Sequence, residues 1–167
     1  MSMQRTEQVE LGEIKASNEK SLVFVLPNIG TGIAVAIYDV QNKVGAVSHV
    51  VLPESSLAGP GNDLLPAKYA NLAVPALLKA FTELGGDKQS SVVRMVGGAQ
   101  LFNFGGGGGN ILNIGARNAT AIRAAMSKQG LAIEKADTGG NKGKAVRFVL
   151  ATGQMFICPI GGSEYSI

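Results

Sequence analysis

The chain contains one histidine and one cysteine, His49 and Cys158, so acid–base or thiol chemistry has few places to reside. A neutral imidazole can act as a general base near neutral pH, provided a thiol, hydroxyl or water lies within its reach. His49 stands in VGAVSHVVLP at 44–53. Strand alternation places it on one face with Val47 and Val51, while Ala46, Ser48 and Val50 take the other. The Ser48 hydroxyl is therefore expected to point away from the imidazole. Cys158, in MFICPIGG between Ile157 and Pro159, reads as a packed small side chain rather than a reactive thiolate. One histidine and one cysteine so far apart do not make a zinc site, and no metal or cofactor is expected.

Two glycine-rich stretches invite a phosphate-binding reading and fail it. GGGGGN at 105–110 lacks the lysine and the Ser/Thr that such a loop needs, and it reads as a mobile loop. TGGNKGKA at 138–145 has Gly143-Lys144, but Thr138 replaces the first glycine and Ala145 the closing Ser/Thr. It also lies between two strands, so no helix N-terminus is available to hold an anion.

Several elements must position these residues. Strands are expected over 8–14, 21–26, 32–38 and 44–52, the last two as a hairpin through Asp39–Lys43, and both faces of 44–52 are apolar enough to be covered. After a Ser/Gly/Pro-rich loop at 54–66, Tyr69, Leu72, Ala73, Ala76, Leu77 and Ala80 recur at helical spacing, with Gly85-Gly86 as a left-handed stop. Pro75 falls inside that helix and is expected to kink it or to leave a carbonyl without its partner. Val92–Val96 is a short buried strand running into Gly97-Gly98-Ala99. A second helix is predicted from about Ala116 to Gln129, stopped by Gly130. Strands over 131–136, 144–150 and 154–158 follow. Many short strands with two inserted helices predict a single α+β domain over residues 1–167.

Composition agrees. With 46% apolar and 16% charged residues and a mean hydropathy of +0.19, the chain is globular. A net charge of +3 without basic runs, and few aromatics, argue against nucleic acid as a partner. The lone cysteine cannot form an internal disulfide, the N-terminal residues lack an apolar signal core, and no stretch is long enough to insert in a bilayer. A cytoplasmic protein is expected.

The segment IGTGIAVAIYD at 29–39 followed by VGAVSHVVLP resembles the CheD family of chemoreceptor glutamine deamidases. Tyr69 with Ala73-Val74-Pro75, then Gly97-Gly98-Ala99, Ile114-Gly115-Ala116-Arg117-Asn118, Asp137-Thr138-Gly139-Gly140, Gly143-Lys144 and Thr152-Gly153 are similar to that family's later motifs, in order. The resemblance implies a layered fold of packed mixed sheets flanked by helices. It also implies a covalent mechanism, because a carboxamide is a poor electrophile: a cysteine thiolate attacks, a histidine supplies and returns the proton, and water hydrolyses the thioester. A threonine six residues before the cysteine orients the histidine.

In this sequence His49 matches the family base, but Gly32 occupies the nucleophile position and Leu26 the threonine position. Losing the nucleophile of a covalent catalyst costs on the order of a million-fold in turnover, judged from a serine protease. Thr31 is expected to point to the opposite face, so it offers no replacement. The paired loss favours a non-catalytic CheD-like protein whose groove Gly32 leaves open and slightly enlarged. The partners implied by the resemblance are the cytoplasmic helices of chemoreceptors and a CheC-type response-regulator phosphatase. The alternatives are a deamidase with another nucleophile or with water activated by His49, and a structural domain that has left chemotaxis.

Overall fold

The computed structural model describes residues 3–58, 65–101 and 113–167, so the glycine run at 105–109 and part of the loop at 54–66 lie outside the described residues. Among the described residues, ten strands form two five-stranded sheets. The first has the order β1 (Arg5–Gln8), β3 (Leu22–Ile29), β8 (Lys144–Val149), β9 (Met155–Pro159), β10 (Tyr165–Ser166). The second has the order β2 (Ile14–Ser17), β5 (Val44–Val50), β4 (Ile33–Asp39), β6 (Ser91–Gly97), β7 (Lys135–Thr138). Pairs β1–β3 and β6–β7 are parallel and the rest antiparallel. Helices α1 (Ala70–Glu83) and α2 (Ile114–Lys128) cover the outer face of the second sheet.

The architecture is thus sheet on sheet on helix, an α+β sandwich as expected. The middle sheet must be apolar on both faces, and β4 satisfies this by strict alternation. Ala34, Ala36 and Tyr38 face the other sheet, while Ile33, Val35 and Ile37 face the helices. All seven residues of β5 are buried as well.

Tyr38 joins the sheets. Its hydroxyl donates to the Leu150 carbonyl at 2.8 Å, and its ring meets Phe148 edge-on at 6.2 Å. Gly153 passes beneath the ring with φ +78°, where a Cβ would come within 2.2 Å of Tyr38 Cδ1. A side chain there would fail on both steric and backbone grounds.

The helices confirm the helical spacing with shifted ends. α1 runs unbroken through Pro75, which sits on its exposed side, and Gly85 follows at φ +90°. α2 begins two residues before the predicted Ala116 and ends at Lys128, with Gly130 at φ +76°. Two strand assignments need correction. Residues 9–13 connect β1 in one sheet to β2 in the other, so 8–14 is not one strand. The strand predicted over 131–136 forms as β7 at Lys135–Thr138, because Leu131 and Ile133 pack against the helical layer before the chain reaches the sheet edge. Among the described residues no helix is long and apolar enough to cross a membrane.

Asp39 closes the β4–β5 hairpin and is fully buried. Its carboxylate accepts from the backbone N–H groups of Gln41, Asn42 and Asp87, from Asn42 Nδ2 and from the Ser90 hydroxyl, all within 3.0 Å. Burial alone would raise its pKa, but these donors outweigh burial and hold it well below the usual carboxylate range. Asp39→Asn replaces an acceptor with a donor facing donors, and about 2–4 kcal/mol of stability is expected to be lost, read by urea unfolding. Because the folded-state pKa is depressed, Asp39 stabilises the fold above the unfolded value near 4 and ceases to as pH falls below it. The Asp39→Asn protein should therefore show a flatter stability profile below about pH 4 than the unsubstituted chain.

Candidate functional site

The site forms where β4 begins and β5 ends. Ala34 pairs with His49 and Ile33 with Val50, so Gly32 lies just beyond the last rung of that ladder. There the strands separate: Val51 and Leu52 both donate to the Lys68 carbonyl instead. Gly32 and His49 remain in direct contact. A Cβ built on Gly32 would lie 2.9 Å from His49 Nε2, 3.2 Å from Cδ2 and 2.7 Å from the Val50 carbonyl oxygen. At Gly32 itself the space is therefore tight rather than enlarged. The imidazole edge and a backbone carbonyl already fill the position that a side chain would take.

The turn after β6 holds the Gly30–Gly32 segment against the histidine, and the start of α2 and the turn after β7 brace that turn from behind. The Gly30 carbonyl accepts from Ala99 N–H at 3.0 Å and the Gly32 carbonyl from Gly98 N–H at 2.9 Å. Gly97, at φ +129°, approaches so closely that a Cβ would sit 2.2 Å from the Gly32 oxygen. On the other side of this turn Gly115 lets the first turn of α2 rest on it, since a Cβ there would reach the Gly98 oxygen at 2.4 Å. The Gly139 N–H donates to Gly97 and Gln100 N–H to the Gly140 carbonyl, anchoring the turn after β7. Lys144 pairs with Asp137 at 3.1 Å, and the Tyr165 hydroxyl donates to the same carboxylate.

Between them stands Asn118, fully buried on α2. Its Nδ2 donates to the Thr31 carbonyl at 3.0 Å and to the Val51 carbonyl at 3.1 Å. This amide replaces the missing backbone rung and sets the spacing of the strands that carry Gly32 and His49. Sequence reasoning quoted Asn118 in a motif but gave it no role. The available signal was an asparagine in the apolar helical run Gly115, Asn118, Ile122, Met126, since a buried amide needs partners.

His49 is 5% exposed and opens onto a cavity of about 130 Å³ lined by Gln8, Glu10, Leu11, Pro27 and Asn28 among others. Its backbone is fixed on both sides, accepting from Gly12 N–H at 2.9 Å and donating to Glu13 at 3.4 Å. Burial lowers its pKa from 6.5 to about 4, so the imidazole is neutral at physiological pH. Among the described residues no side chain hydrogen-bonds to the ring. Ser48 faces the helical layer, away from His49, as alternation predicts, and its hydroxyl is buried without a partner among the described residues.

Leu26 is fully buried in β3, opposite Val146, and belongs to the core between the sheets together with Ala34 and Val47. It thus points into the layer that His49 also faces. Cys158 is half-buried, with its sulfur 3.8 Å from the Pro159 carbonyl and 3.7 Å from that of Gly162. The thiol is engaged in the β9–β10 turn of the first sheet and is not placed against the imidazole. No cluster of metal-ligating side chains occurs among the described residues.

Two mixed sheets layered against two helices, with a single histidine held against a glycine at a strand end, define a small α+β sandwich protein. The family model for CheD chemotactic sensory transduction matches residues 51–158. A probable chemoreceptor glutamine deamidase CheD of Symbiobacterium thermophilum is 34% identical over 167 residues, all of both chains. The chemoreceptor glutamine deamidase CheD of Thermotoga maritima is 31% identical over 156 residues, 93% of each chain. A similar protein of Syntrophus aciditrophicus is 34% identical over 154 residues, 92% of this chain and 94% of its own. The chain belongs to the CheD family.

Two substitutions test this geometry. Gly32→Ala forces a methyl against the Val50 carbonyl and the ring, and about 1–3 kcal/mol of destabilisation is expected by thermal or urea unfolding. Asn118→Ala leaves two buried carbonyls without donors, for a loss of about 2–4 kcal/mol. It should also speed hydrogen exchange selectively at Ile33, Val50 and Val51, at the mouth of the β4–β5 ladder.

Proposed function

We propose that this protein is a non-catalytic CheD-family member that acts in chemotaxis by binding rather than by deamidation. The observation that carries the reading is the contact of His49 with the backbone at Gly32. Covalent amide hydrolysis needs a nucleophile whose side chain enters between the base and the substrate. Gly32 supplies none, and the base itself occupies the space. Leu26 at the threonine position offers no hydroxyl to orient the ring.

His49-activated water is a weak alternative. A base whose pKa has fallen to about 4 has little proton affinity left with which to activate water at neutral pH. The remaining candidates, Ser48 facing the helices and Cys158 engaged in its own turn, do not stand beside the ring.

The surface around the site supports a binding role. A largely apolar cleft of about 320 Å³ runs beside Pro27–Gly30, walled by Leu101 and Ile160 and reaching Lys144. Leu101 and Ile160 are 42% and 71% exposed, as is appropriate to residues covered by a partner rather than by this chain. Pro27 and Asn28 also border the His49 cavity, so the two hollows form one continuous face. The relatives are named for action on chemoreceptors, and the occupants proposed for this face are chemoreceptor cytoplasmic helices or a CheC-type phosphatase in the cytoplasm.

The test is incubation of receptor cytoplasmic fragments with the protein, followed by mass spectrometry and co-sedimentation. No glutamine-to-glutamate mass gain is expected, while fragment or phosphatase binding is expected and should weaken at least about tenfold in Ile160→Asp. A mass gain that disappears in His49→Ala would overturn the proposal. So would a failure to bind either partner.

A further inference from the structure

A second surface lies on the opposite side of the helical layer from the sheets and shares no lining residue with the hollows beside His49. Two hollows of about 170 and 480 Å³ meet end to end along α2. Both are bordered by Pro53, Glu54, Ala121 and Ala124. Asn71 and Pro75 of α1 form the far wall of one, while Arg117 and Lys128 mark opposite ends of the groove. From Asn113 to Gln129 the groove runs about 24 Å, at 1.5 Å per residue, enough for four turns of a docked helix.

The shape favours a helix as occupant. Ala121 and Ala124 keep the floor low, so another backbone can approach α2 closely. Pro75 has no N–H to give the Asn71 carbonyl, and both residues line the groove, so its wall includes a carbonyl lacking its usual helical donor.

The charge selects which helix. α2 carries Arg117, Arg123 and Lys128 and no acidic residue. Its outward face is therefore cationic, with Arg123 and Lys128 exposed. A second copy docking through the same face would bring these cations against their equivalents, which disfavours self-association. Among the described residues Glu54 is the one acidic residue bordering the groove, and it accepts from the Ser56 hydroxyl at 3.2 Å.

We propose that the groove along α2, walled by Pro53, Glu54 and at one end by α1, is a docking site for an acidic amphipathic helix of another protein. Its small apolar residues seat on Ala121 and Ala124, and its carboxylates reach Arg117 and Lys128. The site works independently of the chemistry at His49.

The probe is a synthetic helical peptide of about 20 residues with a Glu-rich face and an Ala/Leu face, against a counterpart with Lys for Glu, titrated into the full ¹⁵N-labelled chain. Amide shifts are expected at Ala121, Ala124, Ala125 and Asn71 with the acidic peptide, while the His49 ring resonances stay in place. Affinity should fall at least about tenfold in the double variant Arg117→Glu, Lys128→Glu, and again in Ala124→Trp, which fills the groove without altering charge. The amide spectrum of each variant verifies that it is folded. Equal binding of the lysine peptide, shifts centred on Leu101 and Ile160, or no shifts at all would overturn the proposal. So would a dimer of the free protein that Ala124→Trp dissociates, because the groove would then be its own interface. Loss of receptor binding at the His49 face would leave this result untouched, so the two proposals fail separately.

Discussion

The rest of the site depends on how tightly the Gly30–Gly32 backbone is gripped. Its three carbonyls are held by two separate elements: Ala99 and Gly98 of the turn after β6 take the first and third, and Asn118 of α2 takes the second. Gly97 comes close enough to the Gly32 oxygen to exclude a Cβ, and Gly115 does the same at the Gly98 oxygen behind it. A segment so tethered cannot drift away from β5. The space beside Gly32 is consequently small, and the imidazole with the Val50 carbonyl bounds it closely. Close packing, rather than an empty groove, is how this scaffold accommodates the glycine beside its single histidine.

The electrostatics of the histidine follow from that packing. A ring pressed against backbone in a nearly closed hollow is stripped of water, and no acidic side chain among the described residues compensates. Its charged form is therefore disfavoured. In a thiolate–imidazolium pair the opposite condition holds, because the anion beside the ring keeps it protonated. Among the described residues no such anion stands beside His49, and burial leaves its ring neutral. Leu26, in the same layer between the sheets, is compatible with that state, since a neutral ring among apolar residues asks for fewer polar partners.

Much of this was legible in the residues. The alternation in 44–50 put His49 and Ser48 on opposite faces, and β5 bears it out. The run from Tyr69 to Ala80 located α1, and the glycines at 85 and 130 marked where both helices end. The scattered glycine motifs could be placed in order but not explained, because their purpose is contact with segments distant in sequence: Gly97 with Gly32, Gly115 with Gly98, Gly153 with Tyr38. Residues 8–14 misled because alternation does not reveal that a chain is crossing between two sheets. The filled position at Gly32 was illegible for a similar reason. A sequence identifies a missing side chain, but only the neighbours decide whether its volume stays empty.

The single histidine makes the central claim directly measurable by NMR titration of the His49 ring protons in the unmodified protein. A ring buried against Gly32 without an anionic partner should titrate at about 4, more than two units below the ordinary 6.5. A midpoint at or above 6.5 would mean that the imidazole is solvated or paired with an anion, and the account of a closed, uncharged site would be contradicted.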